Sequence, residues 1–169
     1  MSPKPDEAAA GVGGRNFDMT ALVTRSDGDE GVIWATGTEN SGISVFVQDD
    51  RLVVDYNAFV DHTVVESSIP VPIGDAELGV RIRRTGSSTG TVEVLVDGTP
   101  CGSGDLPLFM RMISSVGASI GYDHGSTVSP RYDGPFRFSG SLHEVTIQLL
   151  TREQADALTA RSASEMSRQ

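Results

Sequence analysis

Only one cysteine, Cys101, occurs in the 169 residues. An internal disulfide and a cysteine-rich metal knuckle are therefore both excluded. Aromatic residues make up 6% of the chain and include a single tryptophan, which leaves few platforms for stacking on sugar rings. Positive charge is also scarce. Thirteen Lys and Arg stand against 23 Asp and Glu, a formal net charge of −10. Nucleic acids and anionic membrane surfaces are held by clustered Lys and Arg, so neither is expected as a partner. No window approaches the roughly 20 apolar residues of a membrane-spanning helix. The opening Met-Ser-Pro-Lys-Pro-Asp-Glu has no apolar stretch after its basic residue and does not read as a signal peptide. A cytoplasmic location is the expectation.

What the chain has is glycine, 19 residues of it, and alternation. Residues 1–14 are rich in Pro, Ala and Gly and read as a disordered linker. From Phe17 the apolar residues fall on every second position, the mark of strands with one buried face. Phe17, Met19, Ala21 and Val23 share a side. "GISVFVQ" and "RLVVDYN" flank Asp49-Asp50 and read as a tight hairpin, with Leu52, Val54 and Tyr56 inward. "GVIWATG" is almost continuously apolar and reads as a buried strand around Trp34. "DHTVVES" is a further strand, followed by Pro70 and Pro72, which mark an edge or a connection. "ELGVRIRR" and "TVEVLVDG" alternate again. In "FRFSGSLHEVTIQL" the apolar parity changes, and Gly140 is the expected bulge. Thr151-x-x-Gln154 has the form of a capping box that opens a short helix with a frayed tail over 151–169. About nine to twelve strands with no helix between them predict an all-β fold over 15–150, a two-sheet antiparallel sandwich.

Three stretches, taken in order, carry a resemblance. They are "GVIWATGTENSGISVFVQDDRLVVDYN", "VEVLVDG" and "GYDHGSTVSPRYDGPFRFSGSLHEVTIQL". Together they resemble the C-terminal β-sandwich domain of large actinobacterial-type arylsulfatases, a jelly roll of the concanavalin A-like and laminin-G-like kind. The resemblance covers roughly Arg15 to Leu150. It implies an accessory domain that packs on, or assembles with, a sulfatase-like catalytic unit. The catalytic equipment of such enzymes lies in a separate domain. It comprises a formylglycine made from Cys or Ser in a C/S-x-P-x-R motif, and ligands for a divalent cation that polarises the ester. Cys101 is followed by Gly-Ser-Gly-Asp, and the nearest approach to the motif, Ser68-Ile69-Pro70-Val71-Pro72, has proline where arginine is required. The expected role is non-catalytic. If a surface that normally meets the catalytic domain is exposed, self-association follows.

The candidate ligand-binding residues are Asp123, His124, Arg131 and Tyr132, gathered in "GYDHGSTVSPRYDG". A His–Asp pair can move protons where the side chains meet, but neighbours on an extended segment point to opposite faces. The plainer expectation is that Asp123 binds loop amides and Tyr132 anchors the loop. No G-x-S-x-G elbow is present, and His62 and His143 sit in strand patterns with no helper in view. Glu93 and Asp97 share a parity as paired glycosidase acids would, but Asp97 precedes Gly98 and reads as a turn former. No metal site is assigned. Calcium is the one cofactor left open, by Asp27, Asp29, Glu30, Asp49 and Asp50, though their spacing matches no calcium loop. The alternative function is a lectin-like module for a glycan, sulfated or not. An exposed tyrosine with amide side chains would favour that alternative, and an apolar patch would favour protein packing.

Overall fold

The computed structural model describes residues 16–109 and 118–151, with 153, 154 and 157 beyond them. The expected linker at 1–14 and most of the C-terminal tail lie outside the described residues.

Ten strands are present among the described residues: β1 Asn16–Arg25, β2 Gly31–Gly37, β3 Gly42–Gln48, β4 Arg51–Ala58, β5 Asp61–Glu66, β6 Gly74–Arg84, β7 Gly90–Val96, β8 Thr99–Leu106, β9 Ser119–Ile120 and β10 Ser141–Leu150. They form two five-stranded antiparallel sheets. The first runs β10-β1-β6-β7-β8 and the second β5-β4-β3-β2-β9. The fold is the all-β antiparallel sandwich that the alternation predicts.

The inward parity of both sheets builds one core. Phe17, Met19, Leu78 and Ile82 of the first sheet face Trp34, Ile43, Leu52 and Tyr56 of the second. Phe17 meets Trp34 edge-on with ring centroids 6.1 Å apart. Each such side chain contributes on the order of 1.5–3 kcal/mol by leaving water. The hairpins take their hand from positive-φ turns. Asp49 and Asp50 (φ 52° and 63°) join β3 to β4, and Asp97 with Gly98 (φ 50° and 79°) joins β7 to β8. Such turns match the right-handed strand twist. At the end of β10, Thr151 N–H donates to Gln154 Oε1 at 2.9 Å, and Gln154 N–H donates back to Thr151 Oγ1 at 3.1 Å. The capping box closes in both directions.

Two details differ from the alternation. The parity change near the C-terminal strand is not at Gly140. It falls at His143, because Leu22 pairs with Glu144 while Val23 pairs with Leu142. Phe136 and Phe138 precede β10, so they needed no bulge to re-aim them. Gly140 serves close approach instead, since a Cβ there would sit 2.7 Å from the Thr24 carbonyl oxygen. Strand β8 is the second surprise. Its sequence, TPCGSGDL, buries only Cys101 and Leu106, so it carries no periodic signal.

β2, β3 and β4 are buried almost without a break. One face of each lies on the core. The other carries a second apolar cluster of Val32, Ala35, Phe46, Val53 and Tyr132, with Phe136 against it. The segment between β9 and β10 therefore lies across the outer face of the second sheet.

Candidate functional site

The segment Gly121–Ser139 reaches that outer face through backbone bonds at both ends. Gly121 N–H donates to the Ile33 carbonyl at 2.9 Å, and Val32 N–H donates to the Phe136 carbonyl at 2.8 Å. Gly31 permits the approach. A Cβ there would lie 2.4 Å from the Arg137 carbonyl oxygen, and the residue has φ +133°. Phe46 and Tyr132 meet edge-on at 5.0 Å, and Tyr132 stacks on Phe136 at 5.0 Å.

The polar members of the interface form a chain beneath this roof. The Tyr132 hydroxyl donates to Asp123 Oδ2. That same oxygen accepts the Val128 N–H at 2.9 Å. With the Tyr132 proton committed, the Ser44 hydroxyl donates to Tyr132 Oη at 2.8 Å. Asn57 holds the far end, donating to the carbonyls of Glu39 (2.8 Å) and Val128 (3.2 Å) and accepting from Val60 N–H (2.8 Å). Asp123, Ser44 and Asn57 are all buried. Burial pushes the Asp123 carboxyl above its ordinary 3.8, against the opposing pull of its bonds to Tyr132 and Val128. Burial also pushes the Tyr132 phenol far above its usual range, and donation to Asp123 adds to that.

The four candidate residues therefore divide. Asp123 and Tyr132 come together, buried, and hold the loop. His124 and Arg131 are exposed and join neither of them. His124 lies edge-on to Tyr122 with centroids 6.4 Å apart. Arg131 instead bonds Gln48 Oε1 at 3.1 Å and reaches Glu66 at 3.4 Å.

A pair that the sequence reading left unassigned lies on the same sheet face. His62 does have a helper. Its Nδ1 is 2.7 Å from Asp55 Oδ1, because Asp55 on β4 and His62 on β5 are diagonal neighbours in the register where Asn57 opposes His62. Asp55 is wholly buried, and its Oδ2 has no hydrogen-bond partner among the described residues. Ser44, Asp55 and Asn57 occupy the parity that alternation assigns to solvent. The readable signal was that Phe46 and Val53 share that parity, and two large apolar residues there require a cover.

Most of the remaining acids have local partners. Glu93 pairs with Arg81 at 3.1 Å on the outer face of the first sheet, and Asp97 Oδ1 accepts the Glu77 N–H at 2.8 Å. Asp50 pairs with the buried Arg25 at 2.6 Å. Glu30 accepts from Asp49 N–H, and Asp29 from Ser26 N–H. Among the described residues no group of three or more His, Cys, Asp or Glu is arranged to hold a metal ion.

No family model matches the chain, and no curated protein matches it. Solved structures do. Domains LG4-5 of the mouse laminin alpha1 chain align with a TM-score of 0.61 and 15% identity, over 83% of this chain and 38% of that one. The LG1-3 region of the laminin alpha2 chain aligns at 0.53 and 11%, over 91% of this chain and 31% of that one. The native heptameric SAP-like pentraxin from Limulus polyphemus aligns at 0.52 and 19%, over 81% and 66%. The chain spans less than two fifths of each laminin fragment and 66% of the pentraxin. At these identities the likeness establishes the fold, a laminin-G-like and concanavalin A-like sandwich.

Proposed function

We propose that this sandwich is a non-catalytic interaction module, and that it works beside a sulfatase-type catalytic unit. The observation that carries the first half is the distribution of exposed apolar side chains. Among the described residues eight large hydrophobics are exposed, and five of them, Phe59, Val60, Val64, Ile69 and Ile73, lie within fifteen residues on β5 and its flanks. Concentrations of this kind mark protein contact. The chemistry-bearing residues support the same reading. Asp123 and Tyr132 are spent on holding a loop, and neither meets solvent as a proton carrier must. The sulfatase half rests on the three sequence stretches that resemble an arylsulfatase C-terminal domain. For the glycan alternative, the tyrosines give no open stacking platform. Tyr56 and Tyr132 are buried, and Tyr122 has Arg137 over its ring at 4.7 Å.

The test uses two probes on the purified chain. One is an arylsulfatase catalytic domain stripped of its own C-terminal sandwich, titrated by calorimetry. The other is a glycan array that includes sulfated glycans, run with calcium and with chelator. Saturable binding to the catalytic domain with a blank array supports the proposal. Selective array binding, with no heat from the catalytic domain, replaces it with the lectin reading.

A further inference from the structure

Arg137 is the one described arginine whose guanidinium is not spent within the fold. Arg25, Arg81, Arg83 and Arg131 meet carboxylates. Arg51 and Arg84 donate to backbone carbonyls. Arg137 does neither among the described residues. It is exposed, and its guanidinium carbon lies 4.7 Å from the centre of the Tyr122 ring. The Tyr122 hydroxyl likewise has no partner among the described residues.

A merely solvated arginine needs neither a fixed backbone nor a ring beneath it. This one has both. Arg137 bridges Val32 of β2. On one side of it the Phe136 carbonyl accepts the Val32 N–H at 2.8 Å, and on the other the Phe138 N–H donates to the Gly121 carbonyl at 3.0 Å. Tyr122 is clamped in the same way. Gly121 N–H donates to the Ile33 carbonyl at 2.9 Å, and Asp123 N–H donates to the Pro135 carbonyl at 2.8 Å. Neither backbone has to be ordered when a ligand arrives. The stacked guanidinium keeps its planar fork of donors and has less rotamer freedom left to lose. The acids that face this segment from the end of the β1–β2 turn are bonded elsewhere. Asp29 accepts from the Ser26 N–H and the Ser139 hydroxyl, and Glu30 accepts from the Asp49 N–H.

A fork of parallel N–H groups matches a carboxylate, which accepts two such bonds at once. We propose that Arg137, seated on Tyr122, is the anchor for an aspartate or glutamate side chain of a protein partner. The charge around the site favours a single carboxylate over a polyanion. Nucleic acids and other polyanions are held by clustered cations, whereas here one unpaired guanidinium stands on a chain of net charge −10. Arginine and tyrosine are also the side chains that carry much of the binding energy at protein interfaces. The site belongs to the β2–β9 end of the second sheet, and β5 is the opposite end. It is therefore a contact separate from the apolar concentration on β5. It goes beyond the choice of partner made above and stands or falls apart from it.

The probe is an array of capped peptides in which each sequence bearing Asp or Glu is paired with its Asn or Gln counterpart. It is read with the purified full chain, and the selected peptides are then titrated by calorimetry. The native chain is expected to select the acidic member of the pairs, with an affinity that falls as salt is raised. Arg137→Gln should weaken the selected peptides at least about tenfold. Arg137→Lys keeps the charge, loses the fork and should recover only part of that loss. Tyr122→Leu removes the seat and should cost about twofold to fivefold. Melting curves of the variants check the fold. Arg131→Gln, at a guanidinium already paired, should bind as the native chain does. An array with no preference for the acidic members overturns the proposal. So does binding that Arg137→Gln leaves untouched, or that Arg131→Gln weakens equally, as a diffuse charge effect would. Binding of a heparin-type oligosaccharide that is lost in Arg137→Gln, with no acidic peptide selected, gives the site to a sulfated glycan and overturns it as well. A blank result from the catalytic-domain titration leaves each of these readouts intact.

Discussion

Asp55 and His62 are joined by a 2.7 Å bond between neighbouring strands, while the second oxygen of the same buried carboxylate has no partner among the described residues. The imidazole is the side-chain partner of this carboxylate across the two strands. Removing one partner of a buried pair costs more than the pair contributes, because the other is left desolvated. His62→Ala should therefore destabilise the fold by about 2–3 kcal/mol. Asp55→Asn, which takes away the charge and keeps the shape, should cost less. Urea unfolding of the two variants decides the order. A loss below about 1 kcal/mol for His62→Ala would mean that His62 contributes no more than an ordinary surface contact.

The roof over the second sheet is tested at Tyr132. Tyr132→Phe keeps the stacking on Phe136 and the edge contact with Phe46 but strips a donor from Asp123 and an acceptor from Ser44. The expected cost is about 1–3 kcal/mol. Tyr132→Ala also empties the aromatic site and should cost about 3–5 kcal/mol. Limited proteolysis then separates local from global effects. Cleavage between Gly121 and Ser139 should appear in the alanine variant before the sheets unfold.

Asp123 gives the pH dependence its sign. Its folded-state carboxyl titrates above 3.8, so the folded chain binds the proton more tightly than the unfolded chain. The stability this group contributes is present below 3.8 and is lost as pH rises through the folded value. Asp123→Asn removes the titration and keeps an acceptor for the Val128 N–H. The stability difference between the native chain and this variant should favour the native chain in acid, shrink through that window, and stay level toward neutrality. Parallel denaturation curves across the pH range check this, and a difference that grows with pH would refute it.

How far the sequence could be read depended on where each face went. Phe17, Met19, Leu52 and Val54 announced themselves because only one side of their strands is buried against the opposite sheet. Ser44, Asp55 and Asn57 did not. Their parity is the solvent parity of an isolated hairpin, and they are buried because a segment 71 to 88 residues later folds over them. A non-local cover leaves no trace in local period. β8 was silent for a different reason. Its place is set by backbone pairing with β7 and by the near contact of Gly102 with Val94 and the Glu66 carbonyl, neither of which requires an apolar residue. The Asp123–Tyr132 pair was within reach, since acid and phenol lie nine residues apart in one loop, but their burial was not.

Gly31 should be among the most sensitive glycines of the described residues. Alanine there would bring a methyl group within 2.4 Å of the Arg137 carbonyl oxygen, at a φ of +133° that side chains avoid. Neither β2 nor the bonded segment can retreat without breaking the bond between Val32 and Phe136. A loss above about 3 kcal/mol is expected for Gly31→Ala. Gly28, with nothing within 4 Å of an added Cβ, is the contrasting site, where only backbone strain of about 1 kcal/mol applies. A thermal melt of each variant measures the contrast, and similar losses would show that the loop yields.

The turn between β4 and β5 places stability and contact in opposition. Phe59 and Val60 both have positive φ, 52° and 77°, and are 64% and 63% exposed. Two-residue turns of this hand favour Asn-Gly, and a β-branched residue is strained there. A bulky apolar pair at such a position costs stability and leaves apolar surface in water, so folding alone does not account for it. Strain held at an exposed position points to contact. Replacing the pair by Phe59→Asn and Val60→Gly should therefore raise the unfolding free energy by about 1–2 kcal/mol, read by urea denaturation at a concentration where the chain is monomeric. The same double variant should lose part of whatever association the native chain shows. If the variant is more stable and associates as before, the turn is a tolerated defect and the contact surface lies elsewhere. If it is less stable, the aromatic side chain is packed in solution and the strain argument fails.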